Sequence, residues 1–300
     1  MRHIRILAAF FLSGVLAAPG LLPAQPSGPA WKELMPGFEI VQTHLPAAAT
    51  QPETGDSAPA SVQPSGVGTG TEARNAPGPA RLIILRIDPE RYDFTLHMAS
   101  EDEALSLPAR AERHGLLAAV NAGMYLPDQL TSTGYMKSAT HVNNARVAGK
   151  FGAFFVAGPL RKGLPRAALL DRNADGWESA LEGYALVIQN FRLSDTQGNV
   201  LWPDAGPAHS IAVLGQDGDG RILFLFGQDP VAPGVFARGV LDLPLGIRSL
   251  MYLEGGGPAA MLVRAGDTDA LWSGSRLGNL LGVNGAGGTV VPNILGVVPR

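Results

Sequence analysis

Read from its residues alone, the chain is an α+β protein: one domain with a mixed, mostly antiparallel sheet and a few short helices. Three observations lead there. Glycine (38) and proline (24) are abundant among 300 residues, which favours many turns and short strands over a helical bundle. Apolar residues make up 46% and charged residues 16%, enough to build a sizeable core. Short apolar runs bounded by turn signals recur along the chain, and they outnumber the stretches with helical character.

In chain order, the first 24 residues read as a secretory signal. Arg2, His3 and Arg5 form a basic start, residues 6–18 an apolar stretch too short to span a membrane comfortably, and Leu22-Pro23-Ala24 a cleavage site before Gln25. The remaining domain, 25–300, opens with the apolar Phe38-Glu39-Ile40-Val41. Residues 46–80 are Ala, Pro, Ser, Gly, Thr and Gln almost throughout. They cannot bury enough apolar surface to offset the entropy of ordering, so they read as a disordered insertion between two neighbouring strands. Strands are expected at 81–87 and 92–98, paired across Asp88-Pro89-Glu90. A short helix follows over 107–114, with Pro108 near its start and Gly115 as its stop.

Further strands fit 116–120, 152–156, 167–170, 184–188, 210–214 and 221–226, with Gly218-Asp219 turning between the last two. A second helix fits 235–243, and strands at 249–253, 259–263 and 293–298 complete the series. The chain shows no internal repeat.

Several functions are excluded. A net charge of −3 lacks the basic footprint of a nucleic-acid partner, and no membrane span remains after signal removal. With no cysteine there is no disulfide framework, no lipoprotein anchor and no thiolate chemistry. An exported chain without cysteine points to a periplasmic or secreted protein of a bacterial envelope. The G-x-S-x-G elbow, H-E-x-x-H and the P-loop are absent. The six histidines are scattered, without zinc-ligand spacing. No cofactor is implied.

Two glycine-flanked turns stand out: Val120-Asn121-Ala122-Gly123-Met124-Tyr125 and Tyr252-Leu253-Glu254-Gly255-Gly256-Gly257-Pro258. Each follows a buried apolar run and ends at a polar residue beside glycine. Three glycines after a strand cost packing and backbone entropy, and the usual reasons are positive φ or a ligand close to the backbone. Asn121 and Glu254 are therefore candidate site residues. Separately, Asp171, Asn173, Asp175, Gly176 and Glu182 match an EF-hand loop on paper. Glu178 and Pro165 fit that pattern poorly, so this is a weak calcium candidate. The plainer reading is a polar turn in which Asp175 caps a short helix and Glu178 completes a capping box.

Taken in order and spacing, these segments resemble the phosphodiester glycosidase domain family, over about 31–300 with 46–80 as an insertion. Asn121-Ala122-Gly123-Met124-Tyr125 matches its first hallmark, and Gly134 with Asn143-Asn144 the loop that follows. Val187-Ile188-Gln189-Asn190 matches a strand leading into Gln, and His209-Ser210-Ile211-Ala212 a segment before a hairpin. Leu253-Glu254-Gly255-Gly256-Gly257-Pro258 matches the family's most specific turn, and Val291-Pro292-Asn293-Ile294-Leu295-Gly296 its ending. Three residues depart from the family pattern: Glu254 stands for Asp, His209 for Arg and Pro258 for Ser.

The resemblance implies a single domain that hydrolyses a sugar linked through its anomeric carbon to a phosphodiester, with a carbohydrate or sugar-phosphate as partner. Glu254 is then the catalytic carboxylate, with His209 donating to phosphate and Lys137 assisting. The N–H groups of Gly255, Gly256 and Gly257 form an anion nest. Asn121, Asn143 and Gln189 hold the substrate, and Gly123 and Tyr125 offer a turn and a stacking face. The alternatives are a non-catalytic periplasmic glycan-binding protein of exopolysaccharide assembly, and a calcium-stabilised scaffold resting on 171–182.

Overall fold

A computed structural model of the protein describes residues 29–46, 79–101, 105–274 and 290–300. The signal read at 1–24, and all but the flanks of the insertion read at 46–80, lie outside these residues. The elements run β1 (Lys32–Met35), β2 (Phe38–His44), β3 (Arg81–Ile87), β4 (Tyr92–Met98), α1 (Leu107–Arg113), β5 (Ala118–Asn121), β6 (Met136–Lys137) and β7 (Val142–Asn144). Then come β8 (Ala153–Pro159), β9 (Ala167–Asp171), α2 (Trp177–Leu181), β10 (Tyr184–Asn190), β11 (His209–Asp217) and β12 (Ile222–Val231). The last are α3 (Pro233–Leu241), β13 (Ile247–Gly255), β14 (Ala260–Ala265), β15 (Thr268–Ser273) and β16 (Asn293–Pro299).

The strands form three sheets rather than one. Sheet I has the order β1-β2-β3-β12-β11-β13, sheet II β7-β6-β10-β8-β9, and sheet III β15-β14-β5-β16-β4. Among the described strands every pairing is antiparallel, so the sheets are not mixed. β2 and β3 pair from Phe38↔Ile87 to His44↔Arg81.

All three sheets turn one face to a common core. Phe38, Ile83 and Leu85 of sheet I, Phe155 and Ile188 of sheet II, and Phe94, Val120 and Leu295 of sheet III meet there. Each outer face is covered by one helix: α3 on sheet I through Phe236 and Val240, α1 on sheet III through Leu107 and Ala111, and α2 on sheet II through Leu181. This explains why so many strands read as unbroken apolar runs. With both faces buried, polar residues cannot alternate with apolar ones.

The expected pairing of 81–87 with 92–98 is corrected. β3 lies between β2 and β12, whereas β4 pairs β16 from Tyr92↔Pro299 to Met98↔Asn293. The Asp88 carbonyl accepts the N–H groups of Arg91 and Tyr92, and this tight turn moves the chain from sheet I to sheet III. The burial patterns show why. β3 is buried on both faces, while β4 buries only Tyr92, Phe94, Leu96 and Met98, as an edge strand with one covered face does.

Candidate active site

Glu254 sits at the end of β13, and a bulge decides where it points. Tyr252 pairs with Val213 and Gly255 with Ile211, both in the cluster under α3, but Glu254 pairs with Ala212, in the common core. The register shift between Ala212 and Val213 leaves Leu253 and Glu254 opposite one residue, so Glu254 turns to the inner face beside Leu253. Re-aiming a side chain is what a bulge beside a functional site achieves.

The turn carrying Glu254 is held at three places. The Asn190 Nδ2 donates to the Leu253 carbonyl at 3.1 Å. The Asn121 Nδ2 donates to the Pro258 carbonyl at 3.0 Å, and its Oδ1 accepts the Ala260 N–H at 2.7 Å. Between them, the Gly256 N–H donates to the Ser210 carbonyl and the Ser210 hydroxyl to the Gly256 carbonyl. Gly256 itself has φ +70°, a left-handed conformation that favours glycine.

Glu254 is buried, at 9% exposure. Its Oε1 accepts the Gly255 N–H at 3.0 Å. Burial pushes its carboxyl up to about 7, and the Gly255 hydrogen bond offsets this only in part. The phenols of Tyr125 and Tyr252 are pushed up as well, by burial first and then by the Glu254 charge. A carboxyl titrating near neutrality is suited to exchanging protons with substrate or water.

His209 lies on the other face. A Cβ at Gly255 would overlap both the Tyr252 hydroxyl and the His209 ring. The His209 Nδ1 is 2.9 Å from the Ser210 carbonyl, which can only accept, so Nδ1 carries the proton and Nε2 remains available. His209, Ser210 and Gly256 line a cavity of about 670 Å³ with Arg81 and Asp229. Arg81 is tied to Asp229 through two nitrogens at 3.0 Å. Glu254 is not among that cavity's walls, and the two side chains leave the strand ends on opposite faces of sheet I.

Other expected site residues have structural duties. Gln189 is 1% exposed, and its amide is fully engaged. Oε1 accepts from the Tyr135 and Ala148 N–H groups, and Nε2 donates to the Ala148 and Phe151 carbonyls. It clamps a loop and has nothing left for a sugar. Asn143 likewise ties Ser132, Ser100 and Leu130 together. Asn121 is 1% exposed and positions the turn. Lys137 pairs with Val187, which belongs to the cluster under α2, so it faces away from the common core.

The glycine amides are mostly spent as well. Gly255 donates to Glu254 and Gly256 to Ser210, and only Gly257 of the three has no recorded acceptor among the described residues. The anion nest therefore reduces to one donor. Gly123, at φ +134°, sits against the Asn190 amide, and Tyr125 is half-buried.

The calcium loop is an ion pair instead. Arg192 Nη1 reaches both oxygens of Asp171 at 2.7 Å, placing a fixed cation where a metal would sit. Among the described residues no three His, Asp or Glu side chains converge as a metal site. The N-cap of α2 is Gly176, with φ +74° and no side-chain cap, so the expected cap by Asp175 is also corrected.

Three contributors escaped the sequence reading: Asn190, which was passed over for Gln189, together with Tyr252 and Trp202. The Trp202 ring stacks on Tyr252 at 5.5 Å, a contact between distant segments. Tyr252, two residues before Glu254 in a strand ending at glycine, was accessible to pattern reasoning.

With this geometry in place, comparisons with known proteins add the following. The sequence profile described as phosphodiester glycosidase matches residues 114–298. No curated protein matches the chain by sequence. Among solved structures, the catalytic domain of zebrafish N-acetylglucosamine-1-phosphodiester alpha-N-acetylglucosaminidase, auto-inhibited by its pro-peptide, is similar with TM-score 0.56 and 12% identity, over 91% of this chain and 87% of that one. A hypothetical protein from Synechocystis gives 0.54 and 13%, over 92% and 65%. A protein described as exported from Burkholderia pseudomallei gives 0.51 and 13%, over 75% of each chain. At these identities the likeness is one of fold.

Proposed function

The chain belongs to the phosphodiester glycosidase family, and on that premise we propose that it is an exported hydrolase that cleaves a sugar from an anomeric phosphodiester or a related envelope glycan. The observation that carries this reading is Glu254: a buried carboxyl with no cation beside it among the described residues, raised to about 7, on a turn held by Asn190, Asn121 and Ser210.

The bond from the anomeric carbon to phosphate oxygen breaks through an oxocarbenium-like transition state. The phosphate departs as an anion and is acidic enough to need little protonation. Water supplies the new hydroxyl of the sugar. Ionised Glu254 takes the proton that this water gives up, and its charge steadies the positive ring on the way. Tyr125, whose phenol senses the Glu254 charge, offers a ring face on the same side. His209, on the far face, serves the neighbouring cavity rather than the reacting carbon.

One observation favours the second reading, a glycan-binding protein without turnover: His209, the expected phosphate donor, leaves the strand end on the face opposite Glu254, so the carboxyl lacks that partner. Hydrolysis of a panel of sugar-1-phosphodiesters by residues 25–300, beside Glu254→Gln, separates the two. Loss of a general base costs about 10²–10⁴ in rate. Turnover in the wild type that Glu254→Gln leaves intact would remove Glu254 from the chemistry, and no turnover on any substrate would favour binding.

A further inference from the structure

Beside the Trp202–Tyr252 stack on the α3 side of sheet I, a cavity of about 390 Å³ is lined by Lys150, Arg172, Arg192, Phe191 and Trp202, and Glu254 is not among its walls. Its volume lies in the range of small-molecule sites. None of its walls is acidic, in a chain whose net charge is −3. Arg192 is neutralised by Asp171. Lys150 and Arg172 have no carboxylate partner among the described residues. The Lys150 ammonium lies over the Phe151 and Phe191 rings, at 5.0 and 5.7 Å. The Arg172 Nη1 donates to the Ala148 and Gly149 carbonyls at 3.1 and 2.8 Å, which fixes the guanidinium and leaves its other nitrogens to a ligand.

The aromatic walls are fixed too. The Trp202 Nε1 donates to the Arg192 carbonyl at 2.9 Å, and the Phe191 and Trp202 rings meet edge to face at 5.3 Å and 88°. Perpendicular rings do not make the parallel sandwich that a planar base prefers. They suit a puckered sugar ring, whose C–H groups rest on one face while its edge meets the other. Two cations without counter-ions supply the site for its charge.

We propose that this cavity binds an anionic saccharide, a sugar bearing a carboxylate or a phosphate. Titration calorimetry on residues 25–300 tests this with trigalacturonate, mannose 6-phosphate, neutral maltotriose, adenosine monophosphate and inorganic phosphate. One or both acidic sugars should bind at least about tenfold tighter than maltotriose, the span of one charge-assisted hydrogen bond. Whichever of the two binds tighter identifies the acid group. Because Arg172 also supports the 148–149 backbone, Lys150→Glu is run beside Lys150→Ala/Arg172→Ala. Each variant should lose that preference at an unchanged melting temperature for Lys150→Glu.

Equal affinity for maltotriose, tighter binding of adenosine monophosphate or bare phosphate, or full affinity in Lys150→Glu would overturn the proposal. Neither residue belongs to the Glu254 machinery, so sugar-1-phosphodiester turnover should persist in both variants. Charge-dependent binding in a protein without turnover would leave this site standing and the hydrolase reading rejected.

Discussion

The Asn190 side-chain amide donates to the Leu253 carbonyl at 3.1 Å, one peptide before Glu254, and so joins the end of sheet II to the turn at the end of sheet I. Asn190 is 1% exposed and also accepts the Phe191 N–H at 2.8 Å, so its truncation strands buried groups on two segments. Asn190→Ala is expected to cost about 1–3 kcal/mol of stability and to lower kcat on any substrate that Glu254 serves. Urea unfolding and kinetics on the same preparation check this, and an unchanged midpoint would remove the clamp.

Gln189 predicts a different pattern. Four backbone groups depend on its amide, so Gln189→Ala should destabilise by about 2–4 kcal/mol. KM should stay within a factor of two or so of the wild type in the folded fraction. A large rise in KM with a normal melting temperature would restore it as a sugar contact.

The Glu254 carboxyl ties stability to pH. Its ordinary value is 4.5, and burial raises it to about 7 in the folded protein. Below 4.5 both states hold the proton and the group is neutral to stability. Between 4.5 and about 7 only the folded state retains it, so stability falls as pH rises and the loss is complete above the folded value. At about 1.4 kcal/mol per pKa unit, the full loss is up to about 3 kcal/mol. Glu254→Gln should therefore exceed the wild type in stability at pH 8 and match it near pH 4. Chemical denaturation at the two pH values gives the comparison, and parallel curves would refute the raised carboxyl.

At 171–182 the ion pair replaces a metal site. Millimolar calcium or excess chelator should leave the melting temperature unchanged, whereas a specific ligand at a hundred times its Kd would add about 2.7 kcal/mol. Asp171→Ala should lower stability by freeing Arg192, with or without calcium. A calcium-dependent rise in melting temperature would return the loop to the metal readings.

Much of this was visible in the sequence, and the failures have a common cause. Apolar runs bounded by glycine located most strands, and three glycines after Leu253-Glu254 marked the turn. The same burial that makes β10 conspicuous hides its orientation, because Val187 and Ile188 both lie in cores on opposite faces. Nothing local tells which of Gln189 and Asn190 points inward. The bulge at Ala212 and Val213 is a property of two strands in register, so the separation of Glu254 from His209 was equally invisible. The pairing of β4 with β16 runs from Tyr92↔Pro299 to Met98↔Asn293, a sequence separation beyond the reach of any short window.

That last pairing bears on how the chain becomes a protein. β16 lies between β5 and β4, and among the described strands β4 has no other neighbour in its sheet. A ribosome makes β4 early and β16 long afterwards, so a growing chain carries Tyr92, Phe94, Leu96 and Met98 without their partner for most of its synthesis. Contacts of such long range slow folding and prolong exposure of sticky intermediates. Until β16 arrives, the apolar face of β4 lacks the strand that fixes it in its sheet, so sheet III is completed only when synthesis is nearly over.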